Sequence, residues 1–328
     1  METVINTTNY NLTSPSCLKP YFNGLKVGFF DLETTGLNSL WDKIVLGGLL
    51  AFNEEGKGEM FQFFLDKPEK EELLLISLSE KLQELDALVT YNGASFDLPF
   101  LVKRMRKYNL KAPLFPFHLD LYRLIKSHSP HALAMANLKQ KTVERYFGLS
   151  NLRKDEISGE ESIKMYEEYL KTKSRSLKDL ILLHNLDDLS QLSLLFQKED
   201  IFNVHEGFFY SGFPINGRLY VEKMDLKRDN LTAKGTQFRE PVNYYSFSDG
   251  ENKIGGAFSR DSSLFEISVP LYNKDSTIFA DLKGLGLNES KFINQEGFLI
   301  LRDENKDNHE GANLLIKEIL IKLQEDMR

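Results

Sequence analysis

Residues 25–37 read LKVGFFDLETTGL. The mostly apolar run Leu25 to Leu32 has the length of a buried strand, and acids stand at Asp31 and Glu33 near its end. Residues i and i+2 of an extended segment project to one face, which sets these two carboxylates side by side. Like charges so placed repel unless a cation sits between them, and a divalent cation is the usual answer. Taken alone, a strand end running into a turn explains the pair equally well.

The flanking sequence places this stretch in an α/β domain. Two further runs, Lys43 to Phe52 (KIVLGGLLAF) and Glu59 to Leu65 (EMFQFFL), are separated by a polar link at residues 53–58 that reads as a hairpin loop. Three successive, antiparallel strands are therefore expected. A helix is expected over 69–85, a short strand over 87–91, a helix over 96–108 and a fifth strand over 114–119. The order β-β-β-α-β-α-β, followed by helices, predicts a mixed sheet flanked by helices. Further helices are expected over 138–147, 159–172 and 176–196, the last with Ser176 as N-cap and Asp179 as a weak capping partner. From about residue 205 to 296 the chain breaks into short alternating runs, such as 243–248 and 264–269. An amphipathic helix over 312–324 closes it. The reading is a polar leader over 1–24, a first domain over 25–200 and a β-rich accessory domain over 205–328.

Composition bounds the function. A chain of 328 residues has room for two cores. Its only cysteine, Cys17, excludes a disulfide framework and a cysteine-rich zinc site, and points to a reducing, cytoplasmic setting. No apolar run reaches the ~18 residues a membrane span needs, and the leader lacks the basic and apolar regions of a signal peptide. With 41 Lys+Arg against 48 Asp+Glu, the net charge of -7 argues against coating duplex DNA by bulk charge. It leaves room for a nuclease, which needs a local cluster of carboxylates. In the second half, Phe208-Phe209-Tyr210 and Tyr244-Tyr245 with Phe247 form aromatic clusters that read as core or as stacking platforms.

Two more segments carry possible chemistry. In VTYNGASFDLPFL, residues 89–101, a strand ends at Tyr91, Asn92-Gly93 makes a tight turn, and Asp97 opens a helix. An acid there either complements the helix dipole or points at the strand end that bears Asp31 and Glu33. In LLHNLDDL, residues 182–189, His184 and Asp188 stand four apart and share a helix face, as a surface pair or as part of a site. Asp187 is turned by about 100° from Asp188 and is expected to be more exposed.

Together the three segments resemble the exonuclease motifs of the DEDD superfamily of 3'-5' exonucleases, on the ribonuclease H-like fold. Within it, the chain is most similar to the bacterial YprB-like group. Asp31 and Glu33 match the DxE of the first motif, with Thr34-Thr35-Gly36-Leu37 continuing it. Asn92 and Asp97 match the second, accompanied by Gly93 and Phe96, and Asp188 matches the fourth carboxylate. The resemblance extends through Thr142-Val143-Glu144-Arg145 and Gly148 and covers roughly residues 25–197. One departure stands out. The superfamily places a His five residues, or a Tyr four residues, before the last Asp, whereas here His184 lies four before Asp188. A histidine serves as a base near neutrality more readily than a tyrosine with a reference pKa of about 10.

The resemblance implies a metal-dependent 3'-5' exonuclease that acts on single-stranded RNA or DNA and releases nucleoside 5'-monophosphates. Its metal ligands would be Asp31, Glu33, Asp97 and Asp188, an all-oxygen set suited to two Mg²⁺ or Mn²⁺ ions, with His184 as base. Thr34, Thr35, Gly36 and Leu37 would hold the 3'-terminal nucleotide, and Asn92 and Phe96 would bound the adjacent pocket. The basic run Lys103-Arg104-Met105-Arg106-Lys107 either follows phosphates or is a solvated helix face. Asp120 reads as a helix cap or as a neighbour of the site. The competing reading is a nuclease fold that has lost catalysis and binds nucleic acid or protein.

Overall fold

A computed structural model describes residues 1–12, 16–113, 115–154, 157–246 and 254–327. In chain order the first half comprises β1 (Glu2–Asn11), α1 (Lys19–Phe22), β2 (Val27–Thr34), β3 (Ile44–Phe52), β4 (Lys57–Phe64), α2 (Glu71–Gln83), β5 (Ala87–Thr90), α3 (Asp97–Lys107), β6 (Phe117–Asp120), α4 (Leu121–His128), α5 (Gln140–Tyr146), α6 (Gly159–Thr172) and α7 (Arg175–Phe196). The second half comprises α8 (Val204–Ser211), β7 (Phe213–Ile215), β8 (Leu219–Leu226), β9 (Asn230–Gln237), β10 (Tyr244–Ser246), β11 (Gly255–Ser259), β12 (Leu264–Pro270), β13 (Tyr272–Lys274), β14 (Thr277–Asp281), β15 (Phe298–Asp303), β16 (Lys306–Asp307) and α9 (His309–Asp326). Two compact units result, one of residues 1–16 and 22–202, the other of 17–21 and 203–328.

The first unit is a six-stranded mixed sheet in the order β1-β4-β3-β2-β5-β6. β2 pairs antiparallel with β3 and parallel with β5, and β5 pairs parallel with β6. Apolar alternation assigns the two faces of β2. Phe30 and Leu32 join a buried cluster with Leu74, Leu75 and Leu78 of α2 and Phe100 and Leu101 of α3. On the other face Phe29 meets Phe196 of α7 edge-to-face, with ring centroids 5.5 Å apart. Asp31 and Glu33 follow Phe29 at intervals of two and belong to that same face, under α7. The parallel alignment of Phe29 with Val89 brings the carboxyl ends of β2 and β5 together, so both acid-bearing segments leave the sheet at one edge.

Several expectations are revised. The segment expected to be a polar leader carries β1, an edge strand on β4, with Glu2 opposite Phe64 and Asn6 opposite Met60. Thr3 and Ile5 are exposed while Val4 between them is partly buried, as on a strand with one face in solvent. The fifth strand runs over 117–120; Leu114 lies outside the described residues. The long helix starts at Arg175, so Ser176 lies inside it and Ser174 is its N-cap residue. By contrast Ser158 builds a full capping box with Glu161 at the start of α6.

The second unit is β-rich. One six-stranded antiparallel sheet has the order β10-β11-β12-β9-β8-β7, and a four-stranded one the order β13-β14-β15-β16. The closing helix α9 buries Ala312, Leu315, Ile316, Ile319, Leu320 and Leu323. Phe208, Phe209 and Tyr210 lie on the helix α8 rather than on a strand. The first two are core, and the Phe208 ring stands 4.5 Å from that of Tyr21. In the second cluster Tyr244 and Tyr245 lie on β10, while Phe247 and residue 248 fall outside the described residues. Among the described residues, no helix is long and apolar enough to cross a membrane.

Candidate metal centre

The site is assembled from β2, the turn after β5, and the middle of α7. Glu33 of β2 and His184 and Asp188 of α7 present ligand-capable atoms that all lie within 4.8 Å of one another. His184 Nε2 is 3.6 Å from Glu33 Oε1 and 3.6 Å from Asp188 Oδ2. The four-residue spacing on α7 puts His184 and Asp188 on one face, toward the sheet. Asp31 and Asp97 lie outside this group of three but act on it electrostatically. Asp97, at the first turn of α3, accepts a hydrogen bond from the Leu32 N–H at 3.0 Å, which ties the second segment to the strand between Asp31 and Glu33.

Crowding these acids is costly without a cation. Asp31 is pushed well above the usual carboxylate range, by burial first and then by the charges of Asp97, Asp188 and Glu33. Glu33 is pushed up to about 7, again mainly by burial; His184 pulls it down, Asp188 pushes it up, and a hydrogen bond with Ser162 of α6 lowers it. Burial likewise lifts Asp97 to about 7 against the pull of the Leu32 N–H. Carboxylates that hold protons near neutrality form a site whose charge a divalent cation can supply. Clustered hard oxygen donors with one imidazole fit Mg²⁺ or Mn²⁺.

A buried polar relay underlies Asp31. Along the sheet Asp31 faces Gly48 of β3, and Gly48 faces Gln62 of β4. Asn185 of α7, fully buried, lies over Gly48: its Nδ2 donates to Asp31 Oδ2 at 3.0 Å, and its Oδ1 accepts from Gln62 Nε2 at 3.1 Å. A Cβ at Gly48 would come within 2.0 Å of Asn185 Oδ1, so only glycine admits the amide there. On the opposite face Gly47 does the same for Leu78 of α2, where a Cβ would stand 2.8 Å from Leu78 Cδ2. The Gly47-Gly48 pair thus lets helices approach both sides of β3.

Arg153 is the second participant that the sequence reading missed. Its Nε donates to Glu144 Oε2 at 2.7 Å and its Nη2 to Glu144 Oε1 at 2.9 Å, and Nη2 also donates to Asp188 Oδ1. Glu144 is buried, so a bidentate arginine–carboxylate pair holds the guanidinium against Asp188. Asp187, expected to be exposed, is buried and accepts from the Lys154 N–H at 2.6 Å, fixing the segment that carries Arg153. Neither the Asn185 nor the Arg153 contact has a signal in local periodicity, because both join segments far apart in the chain.

The remaining expected residues take varied places. Thr34 is buried and its hydroxyl donates to the Gly36 carbonyl at 2.7 Å. Thr35 Oγ1 accepts from the Lys43 N–H at 3.0 Å, and Leu37 is exposed. Asn92 sits at φ 63°, the left-handed conformation of the turn, and its N–H and that of Ala94 donate to Asp120 at 2.9 and 3.1 Å. Asp120 also caps α4 through the Arg123 N–H, so it both caps a helix and shapes the turn before Asp97. Phe96 packs on Phe100, with centroids 5.5 Å apart. The basic run divides. Arg104 is fully buried on Glu71, with Nε donating to Oε1 at 2.8 Å, whereas Lys103, Arg106 and Lys107 are exposed.

A family model described as RNase_H superfamily matches residues 28–199, just over half of the chain. The uncharacterized protein YprB of Bacillus subtilis is 30% identical over 198 residues, 59% of this chain and 47% of that protein. The DNA polymerase III PolC-type of Mycoplasma pneumoniae is 33% identical over 105 residues, 26% of this chain and 7% of that protein. This chain therefore spans less than half the length of either relative. Among solved structures, the family B DNA polymerase of Pyrobaculum calidifontis covers 52% of this chain at 20% identity, with a TM-score of 0.42.

Proposed function

This chain belongs to the RNase_H superfamily, and from that premise we propose that it is a divalent-metal-dependent 3'-5' exonuclease acting on single-stranded RNA or DNA. The observation that carries the reading is the convergence of Glu33, His184 and Asp188 within 4.8 Å, with Asp31 and Asp97 electrostatically joined to them. Asp31, Glu33, Asp97 and Asp188 are the residues that would hold the metal. Two Mg²⁺ or Mn²⁺ ions held there would supply Lewis-acid stabilisation of the charge that develops as a phosphodiester is cleaved. Asn185 keeps one oxygen of Asp31 fixed and leaves the other for the site. The 3.6 Å separations of His184 Nε2 from Glu33 and Asp188 support a role for it in orienting an attacking water and accepting its proton. That one matched relative is by name a DNA polymerase supports a nucleic-acid substrate.

The test is a panel of 5'-labelled single-stranded RNA, single-stranded DNA and recessed duplexes, incubated with the protein and Mg²⁺ or Mn²⁺. The expected result is stepwise shortening from the 3' end with mononucleotide release, lost in Asp31→Asn. Substrates that all stay intact would overturn the reading. A second reading, a nuclease fold that binds without cutting, draws on Arg153, whose guanidinium occupies one oxygen of Asp188. Strand binding without cleavage, indifferent to Asp31→Asn, would favour it.

A further inference from the structure

The loop over residues 35–43, which joins β2 to β3, exposes three large apolar side chains: Leu37 at 83%, Leu40 at 65% and Trp41 at 79%. A slack loop would fold such groups inward, because exposed apolar surface is costly. This loop is held open by its own hydrogen bonds. The Asn38 carbonyl accepts from the N–H groups of Trp41 at 3.0 Å and Asp42 at 2.7 Å. Asp42 Oδ2 accepts from the Asn38 N–H at 2.8 Å, and Asn38 Oδ1 from the Leu40 N–H at 3.0 Å. From below, Arg104 Nη1 donates to the Ser39 carbonyl and Lys107 Nζ to the Leu40 carbonyl, both at 3.1 Å. Since Arg104 is itself fixed on Glu71, the tip rests on a rigid base.

Its position relates it to the carboxylates. The loop leaves β2 directly after Glu33 and Thr34, and its tip touches α3 at Arg104, seven residues beyond Asp97. Seven residues of helix are ~10 Å, or about three stacked nucleotides at ~3.4 Å each. The exposed cations Lys103, Arg106 and Lys107 lie on the same helix. An exposed indole beside the Lys107 ammonium, which reaches the Leu40 carbonyl, is the kind of surface that binds single strands without sequence preference, by base stacking and phosphate contact.

We propose that Trp41, with Leu40 beside it, is a stacking platform for a nucleobase about three nucleotides upstream of the 3' terminus, with Lys103 facing the phosphates. The proposal rests on the nuclease reading above and adds to it a subsite for longer strands. A platform of this kind discriminates by strand length and is indifferent to base identity.

Trp41 is the chain's only tryptophan, so fluorescence excited at the red edge of the absorption band, where tyrosine does not absorb, reports on it alone. The experiment titrates the full chain, with Ca²⁺ in place of the catalytic ion, with a single-stranded oligothymidylate of about twelve nucleotides. It then compares wild type, Trp41→Ala and Trp41→Phe on that strand with Mn²⁺, and on the nitrophenyl ester of thymidine 5'-phosphate, which has no upstream base. Quenching of the fluorescence is expected on strand binding. Trp41→Ala is expected to raise KM for the strand about 5- to 100-fold, the equivalent of ~1–3 kcal/mol per stacked base, with a far smaller change for the ester. Trp41→Phe should recover most of the loss. If the strand binds without a fluorescence change, or Trp41→Ala leaves its KM unaltered while both substrates are cleaved, the platform is refuted and the nuclease reading survives. If neither substrate is cleaved and no strand binds, the nuclease reading fails and the platform with it. Loss of self-association in Trp41→Ala, without any effect of the strand on fluorescence, would assign the tip to a protein contact and equally refute the proposal.

Discussion

Asn185 Nδ2 donates to Asp31 Oδ2 at 3.0 Å across a slot that exists only because position 48 is glycine. The bond joins the middle of α7 to the central strand and fixes the rotamer of the most crowded carboxylate. Asn185→Ala is expected to lower kcat/KM about 10- to 100-fold, the worth of a hydrogen bond to a charged group at ~1.5–3 kcal/mol. Gly48→Ala should reproduce that loss with Asn185 still present, by displacing its amide. Steady-state kinetics on both variants, with Mn²⁺ affinity measured by calorimetry, checks this. Wild-type affinity and rate in Asn185→Ala would show that the relay only fills space.

Arg153 bridges Glu144 and Asp188, and Glu144 is buried. Arg153→Met leaves that carboxylate without its partner, at a cost of about 3–5 kcal/mol. The melting temperature should fall by roughly 6–20 °C, judged from a change of ~2–4 °C per kcal/mol for a unit of this size. Adding Glu144→Leu should restore most of it. Thermal denaturation of the single and double variants measures this, and a double variant no more stable than Arg153→Met would contradict the ion-pair account.

Burial raises Glu33 and Asp97 to about 7 in the folded protein, against 4.5 and 3.8 for the ordinary groups. Between those values the folded form keeps protons that the unfolded chain has released. Folded-state values above the unfolded ones mean that stability is lost as pH rises, here from about pH 4 through 7, in protein stripped of metal. A divalent cation bound at these carboxylates would take the place of those protons. The melting-temperature gain on adding Mn²⁺ should therefore grow with pH over that window and level off above it. Calorimetry at a series of pH values tests this, and a gain independent of pH would speak against cation binding at these carboxylates.

Arg104 and Glu71 form a fully buried pair, to which Tyr108 Oη donates at 2.9 Å and the Ile44 N–H at 3.1 Å. Arg104→Ala should destabilise the protein strongly, whereas Lys103→Ala should leave stability within about 0.5 kcal/mol. Urea titration separates the two. Equal effects would return Arg104 to the solvated face that its place in a basic run suggests.

Much of the first unit is legible in local pattern. The apolar runs of β2, β3 and β4 and the helical spacing of α2, α3, α6 and α7 each report burial that neighbours along the chain reveal. β1 is not legible in this way: ETVINTTNYN is polar, and it becomes a strand only by pairing with β4 some fifty residues away. The same limit hides Asn185 and Arg153, whose partners are set by cross-strand register and by a helix crossing the sheet. Asp187 misled because its neighbour Asp188 faces the site. A second buried acceptor was needed on the adjacent side of α7, for the Lys154 N–H. Phe208 and Phe209 fall in the stretch expected to be β-rich, yet they lie buried on the helix α8, with Phe208 against Tyr21.

On the proposed function, Asp31, Glu33, Asp97 and Asp188 hold a catalytic cation. Anomalous diffraction from crystals of the full chain soaked in Mn²⁺ tests it most directly. The account predicts manganese peaks bounded by Asp31, Glu33, Asp97 and Asp188, and their disappearance in Asp31→Asn. Well-ordered density across these side chains with no manganese peak among them would contradict it.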